Sequence, residues 1–375
     1  MSFDYDLLIS AGRQHCANSG FDGPGAVAVA GDRIVASGPA VSGTARRQLE
    51  YDDGILLPGL VDFHAHPGRG GSRYGTDPDL YFLPRGVTTC LSQGDAGADN
   101  WDDYRRELID ASRTRVRLAL NLSRHGESHP TRNIPTLDAA DVNACIRTIE
   151  EGGDLIWGIA FNAAAVTIGD IDPRVIMERG LAVAEATDRP ILYGSRKSSD
   201  WPLAEQLALL RPGDAMTYLY NREEDGLMSD GRVEDAVLEA RDRGILFDLG
   251  HGMASFSFPR AEEAIAQGFF PDTVSTDRYI RHVEEDPSHD MPRVMSKLIA
   301  IGMPEIDVFT RATAAPARHL GLAGEVGTLE PGACADITVL QWNHVAEPLT
   351  DCHGEQRSGP CLEPLLTVRG GHPVE

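Results

Sequence analysis

The chain has 375 residues, 42% hydrophobic and 24% charged, enough to bury a large core in one barrel of about 250 residues with additions, or in two to three smaller domains. Its formal net charge of −23, with no Lys/Arg cluster to offset it, argues against nucleic acid and anionic membrane as partners. No apolar run approaches the roughly 18 residues of a membrane span, and MSFDYDLLIS has neither a basic nor a cleavable apolar region, so the expectation is a cytoplasmic protein without a signal peptide.

In chain order, the first 58 residues read as short strands. DYDLLIS, AVAVAGDRIVASG and GILLPG alternate apolar and polar residues between Gly, Asp and Pro turns, the pattern of a small antiparallel sheet. GTLEPGACADITVLQW near the other end has the same texture. The two ends, 1–58 and 326–375, are expected to build one small β-sandwich.

Between them, short apolar runs alternate with amphipathic stretches such as DVNACIRTIEE and PRVIMERGLAVAEAT. Eight candidate strands fall at 59–63, 87–92, 116–121, 155–161, 190–194, 215–219, 245–249 and 272–276. Eight strand–helix units predict an α/β architecture, a (β/α)8 TIM-type barrel over 59–325. Chemistry in that architecture gathers at the C-terminal strand ends.

Strand one ends in DFHAHP, and the spacing puts His64 and His66 on one side of the strand, a pair able to hold a divalent ion. The alternative is a polar cluster that only binds the loop. Asp277 follows strand eight, beside strand one once a barrel closes; it could complete the metal site and take a proton from water that the ion acidifies. Its alternative is a helix cap or an ion-pair partner. Asp95, beyond strand two, reads as a loop-turn aspartate, with a fourth ligand as the other option. His125, beyond strand three, is a substrate contact or a surface histidine. Arg196 and Lys197 follow strand five, where a cation could clamp a carboxylate or simply be solvated. His251, between two glycines after strand seven, is expected to face the pocket for substrate binding or proton transfer. Cys90 lies mid-strand and packs in the barrel wall. The other cysteines (Cys16, Cys145, Cys334, Cys352 and Cys361) lack a CxxC or a regular framework, as structural thiols in a reducing compartment do; Cys352 and Cys361 flank a loop and could pair.

Taken together, PGLVDFHAHP, VSTD and GTLEPGACADITVL resemble the amidohydrolase superfamily. DLLISAGR, GVTT, SFSFPRAEEAIAQGF, MPRVMSKLIAIGM and TAAPARHLGL are similar to its dihydroorotase-like amidohydrolase/deacetylase branch. The resemblance implies a barrel plus sandwich that hydrolyses amide or ester bonds at one or two divalent metals, and a homo-oligomer is plausible. It also implies a carboxylated lysine on strand four and histidines after strands five and six. Ala160, Tyr193 and Tyr218 stand at those expected places. The expectation is therefore a single ion, zinc first with manganese or iron as alternatives, on His64, His66 and Asp277. Tyr193 and Tyr218 with His251 would steady an oxyanion, or the tyrosines would only fill space left by a lost metal. The substrate would be a small amide, lactam, imide or ester. A lyase, decarboxylase or isomerase on the same fold, or an inactive ligand-binding homologue, are the other readings.

Overall fold

The computed structural model describes residues 3–196, 200–223, 226–283, 289–345 and 347–374. The N-terminal region forms β1 (Tyr5–Cys16), β2 (Phe21–Ala30), β3 (Arg33–Gly38) and β4 (Ala45–Pro58). Seven parallel strands follow in spatial order along the chain: β5 (Leu60–Ala65), β6 (Val87–Gln93), β7 (Arg115–Asn121), β8 (Ile156–Asn162), β9 (Ile191–Gly194), β10 (Ala215–Thr217) and, after the hairpin of β11 (Met228–Ser229) and β12 (Arg232–Val233), β13 (Leu246–Phe247). The C-terminal region adds β14 (Ile337–Asn343), a short ladder of β15 (Leu349–Thr350) with β16 (Gln356–Arg357), then β17 (Cys361–Arg369) and β18 (His372–Pro373).

The eighth expected strand does not form a full ladder. Its segment instead makes one parallel bridge to each side, Asp248 with Thr273 and Ala65 with Arg278. Asp277 N donates to His64 O at 2.7 Å, and Leu249 N to Thr273 O at 3.1 Å. Side chains take over part of the pairing: Thr273 Oγ1 and Ser275 Oγ both donate to the buried Asp248 carboxylate, at 2.6 and 2.8 Å. These contacts join the last stave to the first, and both edges of the curled parallel sheet are satisfied.

The strand interior and the helix layer are separate clusters. Phe63, Leu91, Ala119, Ala160, Leu192 and Ala215 pack together inside. Leu118, Ile159, Phe161, Ile191, Tyr193 and Met216 face the helices. PRVIMERGLAVAEAT is helical over Pro173–Thr187, and DVNACIRTIEE over Val142–Gly152, where Asp141 caps Ala144 N at 2.9 Å. PEIDVFTRATAAPARHLG forms two helices, Glu305–Arg311 and Ala314–His319. Pro316 can neither donate to nor pack over the carbonyl four residues back. That carbonyl, of Ala312, accepts Val61 N at 2.8 Å and anchors the first barrel strand.

The two chain ends meet in one seven-stranded sheet of order β18-β17-β14-β4-β1-β2-β3. Leu7, Ile9, Val27, Val29, Ile337, Val339 and Val368 form its own core. All six cysteines are free, so Cys352 and Cys361 do not pair. No helix among the described residues is long and apolar enough to cross a membrane.

Candidate metal centre

The end of β5 places His64 and His66 against Asp277. His64 Nε2 and His66 Nε2 lie 3.3 and 3.0 Å from Asp277 Oδ1, and all three residues are buried. Asp277 reaches this position through a left-handed backbone, φ 46°, which is costly for a residue with a Cβ. Tyr218, at φ 67°, is strained in the same way; two of the four described non-glycine residues with positive φ therefore stand at this mouth.

Neighbouring hydrogen bonds fix which imidazole nitrogen is offered. Thr217 Oγ1 donates to Asp248 Oδ2 at 2.8 Å, so its oxygen accepts His64 Nδ1–H at 2.7 Å. His64 Nε2 is buried, and Asp277 Oδ1 at 3.3 Å is the acceptor it faces. His66 Nδ1 faces two carboxylates, Asp95 Oδ1 at 3.1 Å and Glu127 Oε2 at 3.0 Å. With the proton held on Nδ1 by these acids, Nε2 is the nitrogen turned toward Asp277. Carboxylates behind a ligating imidazole are the common way to set its tautomer and raise its basicity.

Charge points the same way. Asp62, Asp95, Glu127, Asp248 and Asp277 are all buried around two histidines, an excess of negative charge that needs protons or a cation. Without an ion, burial pulls the His64 imidazole down, but Asp277 and Asp248 more than reverse this and hold it at about 9. Burial likewise opposes the charge on His66, and Glu127 and Asp95 outweigh it, leaving His66 well above its ordinary value. Burial raises the Asp277 carboxyl, whereas His64 and His66 bring it well below the usual carboxylate range. Asp62, accepting from Thr276 N and Oγ1, is pushed by burial to about 7. Two imidazole nitrogens and a carboxylate, with ligand atoms within 4.8 Å of one another, are a donor set that fits one divalent ion.

On the opposite side of the mouth the register differs from the sequence reading. Leu192 packs inside with Ala160, so Tyr193 points outward to the helices. It lies 5.3 Å from the Phe161 ring, and its hydroxyl donates to Gln206 Oε1 at 2.7 Å. The oxyanion role expected of Tyr193 is corrected accordingly, because period-2 alternation puts Gly194 at the interior position. Gly194 pairs with Asn162 across β8 and β9, and a Cβ there would lie 2.7 Å from Asn162 Cγ. The Asn162 amide hydrogen-bonds Tyr218, whose ring centroid is 5.2 Å from that of His64. Asn162, Gly194 and Tyr218 thus fill the side where the resemblance puts a second metal.

The remaining candidates divide. Asp95 lies in the loop beyond β6, as expected, and is fully buried with Oδ2 accepting from Ser92 Oγ at 2.7 Å, so it belongs to the centre. Glu127 was not legible as a site residue; its Oε1 accepts from Asn133 Nδ2 at 2.7 Å. The available signal was its place two residues beyond His125 in the loop after β7. Of the two readings of His125 the surface one fits its side chain, which is 40% exposed and paired with Asp99 at 3.0 Å. The Arg196 guanidinium is held by Asp200 at 2.7 Å; Lys197 lies outside the described residues. His251 lines a cavity beside Asp277, with Nδ1 on Gly252 O at 2.8 Å and Nε2 3.0 Å from Lys297 Nζ. Tyr74 and Tyr279, which the sequence reading missed, flank the His66 ring at 5.5 and 5.9 Å.

Comparison with known proteins gives concordant results. The model of the Amidohydrolase family matches residues 256–360. A deacetylase of Enterococcus faecalis is 30% identical over 374 residues, 98% of each chain. A deacetylase of Agrobacterium fabrum is 30% identical over 359 residues, 93% of this chain and 86% of its own. Among solved structures, an adenine deaminase superposes with a TM-score of 0.89 at 28% identity, and a dihydroorotase with 0.87 at 27%, each covering 99% of both chains.

Proposed function

Since this chain belongs to the amidohydrolase family and is a metal-dependent hydrolase of C–N bonds, we propose that it hydrolyses a small amide, lactam, imide or ester with a single divalent ion, zinc foremost, held by His64, His66 and Asp277. The observation that carries the reading is the convergence of two Nε2 atoms on one Asp277 oxygen, with the His64 nitrogen otherwise unpartnered. Asn162 and Tyr218 in place of a second ligand set support one ion at the reaction centre. In this reading 59–325 is the hydrolase barrel, and 1–58 with 326–375 is the sandwich domain beside it.

A divalent ion at this place supplies Lewis acidity toward a carbonyl and lowers the pKa of water. The chain does the rest. Thr217 and Asp248 hold His64, and Asp95 and Glu127 hold His66, so that both rings keep Nε2 forward without reorganisation. Asp277 takes the proton of the attacking water and returns it to the leaving nitrogen or, for an ester, the leaving oxygen. Tyr218 stays a phenol, because burial raises it well above its ordinary value, and donates to the oxyanion as it forms. His251 lines the substrate cavity and leaves the proton transfer to Asp277, because its Nε2 lone pair already faces Lys297.

Asp277→Asn tests this. The amide keeps the shape but can neither take the proton nor balance the ion's charge, so turnover of an amide and ester panel should be lost with an unchanged circular dichroism spectrum. Unchanged turnover would refute the assignment.

A further inference from the structure

The support behind His66 does not end at Glu127. The backbone of that residue is fixed: Glu127 N donates to Asp95 O at 3.2 Å, and its carbonyl accepts Arg73 N at 3.2 Å. Gly126 just before it, at φ 59°, packs so closely on the loop after β6 that a Cβ would lie 2.5 Å from Asp95 O. A glutamate on a fixed backbone still has three side-chain torsions, and they turn its carboxylate toward His66 or away from it. Oε2 lies 3.0 Å from His66 Nδ1, so what holds the other oxygen decides the orientation.

That oxygen, Oε1, accepts Asn133 Nδ2 at 2.7 Å, and Asn133 Oδ1 accepts Arg73 Nη2 at 2.6 Å. Asn133 is 9% exposed. Each role along this path is forced. A guanidinium only donates, so the amide turns its oxygen to Arg73, and its NH2 is left for the carboxylate, which when ionised only accepts. Glu127 is thus pinned between two donors, the Asn133 amide on one oxygen and the His66 ring on the other. Both ends of the path carry charge, which strengthens its bonds. Asp95, the other acid on His66 Nδ1, is held separately by Ser92.

Arg73 reaches His66 by a second route. Its guanidinium carbon lies 4.6 Å from the centroid of the Tyr74 ring, and that ring is 5.5 Å from the His66 ring. Arg73 Nη1 donates to His129 O at 3.2 Å. In a chain with 57 Asp and Glu, this guanidinium is turned to an amide, a carbonyl and a ring. Arg73 stands in the loop after β5 and Asn133 in the loop after β7, so no strand ladder places either of them.

We infer that Asn133 and Arg73 are positioning residues of the metal centre: through Glu127 they hold the His66 ring with Nδ1–H on the acids and Nε2 toward Asp277. The consequence for an ion rests on the metal-centre reading, whereas the hold on the ring does not. The alternative, a tie between two loops and nothing more, predicts a lower stability with the ring and its ion affinity unchanged.

The test is a double-mutant cycle on the full chain. Asn133→Leu keeps the volume and removes both hydrogen bonds, and Glu127→Ala removes the carboxylate through which they act. In competition against a zinc-chelating dye at neutral pH, Asn133→Leu should weaken zinc about tenfold in the parent background and less than about twofold in the Glu127→Ala background. Arg73→Met enters the path at a half-buried residue and should weaken zinc severalfold; Arg73→Lys, which keeps a charged donor, should restore most of it. Equal weakening by Asn133→Leu in both backgrounds, or an affinity unchanged in Asn133→Leu and in Arg73→Met, would overturn the assignment whatever happens to the melting temperature. In the metal-free chain labelled with nitrogen-15 histidine, the His66 Nδ1–H proton should exchange with water about tenfold faster in Asn133→Leu than in the parent. Equal exchange rates would overturn the hold on the ring. If the parent binds no zinc and the exchange rates still differ, the metal-centre reading fails and the positioning of the ring stands.

Discussion

Ion binding at this centre should be steeply dependent on pH. With no ion present His64 holds its proton up to about 9, and His66 is also raised well above its ordinary value. At pH 7 both rings are therefore imidazolium, paired with Asp277, Asp95 and Glu127. An ion that takes both Nε2 atoms must displace a proton from each, since Nδ1 keeps its own against Thr217 on one ring and the acids on the other. Two protons released per ion make the logarithm of the affinity rise by about two per pH unit, roughly 2.7 kcal/mol at about 1.36 kcal/mol per proton. Between pH 6.5 and 7.5 zinc should bind about a hundredfold more tightly, with the slope falling as pH passes the value at which His64 loses its proton. Competition against a zinc-chelating dye gives the affinities, and calorimetry in two buffers of different ionisation heat counts the protons directly. An affinity that is flat over this interval, after correction for the dye, would mean that these histidines are neutral before binding or are not the ligands.

Other expectations separate residues that hold the ligands from those that pack. Glu127→Gln removes one of the two acids behind His66 and should weaken zinc binding by about ten- to a hundredfold, read by the same competition assay. Gly252→Ala would put a methyl 2.4 Å from Asp277 Oδ2 at a backbone φ of 51°; metal content should drop and the melting temperature fall together, and a variant with both intact would show that this backbone does not confine Asp277. Tyr218→Phe should lower kcat by about a hundredfold with little change in metal content, as loss of one oxyanion donor does. Tyr193→Phe should leave kcat alone and cost about 1 kcal/mol in urea unfolding, for the lost bond to Gln206.

The barrel was legible because its staves are apolar runs at regular spacing; seven of the eight expected positions carry ladder strands. The eighth, DTVST, was the weakest apolar run, and its pairing is carried partly by Asp248 and the hydroxyls of Thr273 and Ser275. The centre was legible in part. His64, His66 and Asp277 follow from strand ends, whereas Glu127 sits in a loop, and no periodicity says which of His125 and Glu127 turns inward. Tyr193 was misplaced by one residue of register, and in a strand one residue is the difference between lumen and helix layer. The path from Arg73 to His66 was out of reach of sequence alone, because its members come from the loops after β5 and β7, and only the packing of those loops brings them together.

The most direct test is the metal content per chain, by inductively coupled plasma mass spectrometry, of untagged protein prepared without chelator, beside His64→Asn. One equivalent in the parent, lost in the variant, is the result this account predicts. Two equivalents, the same content in both proteins, or none even after incubation with zinc or manganese would contradict a single ion held by His64, His66 and Asp277.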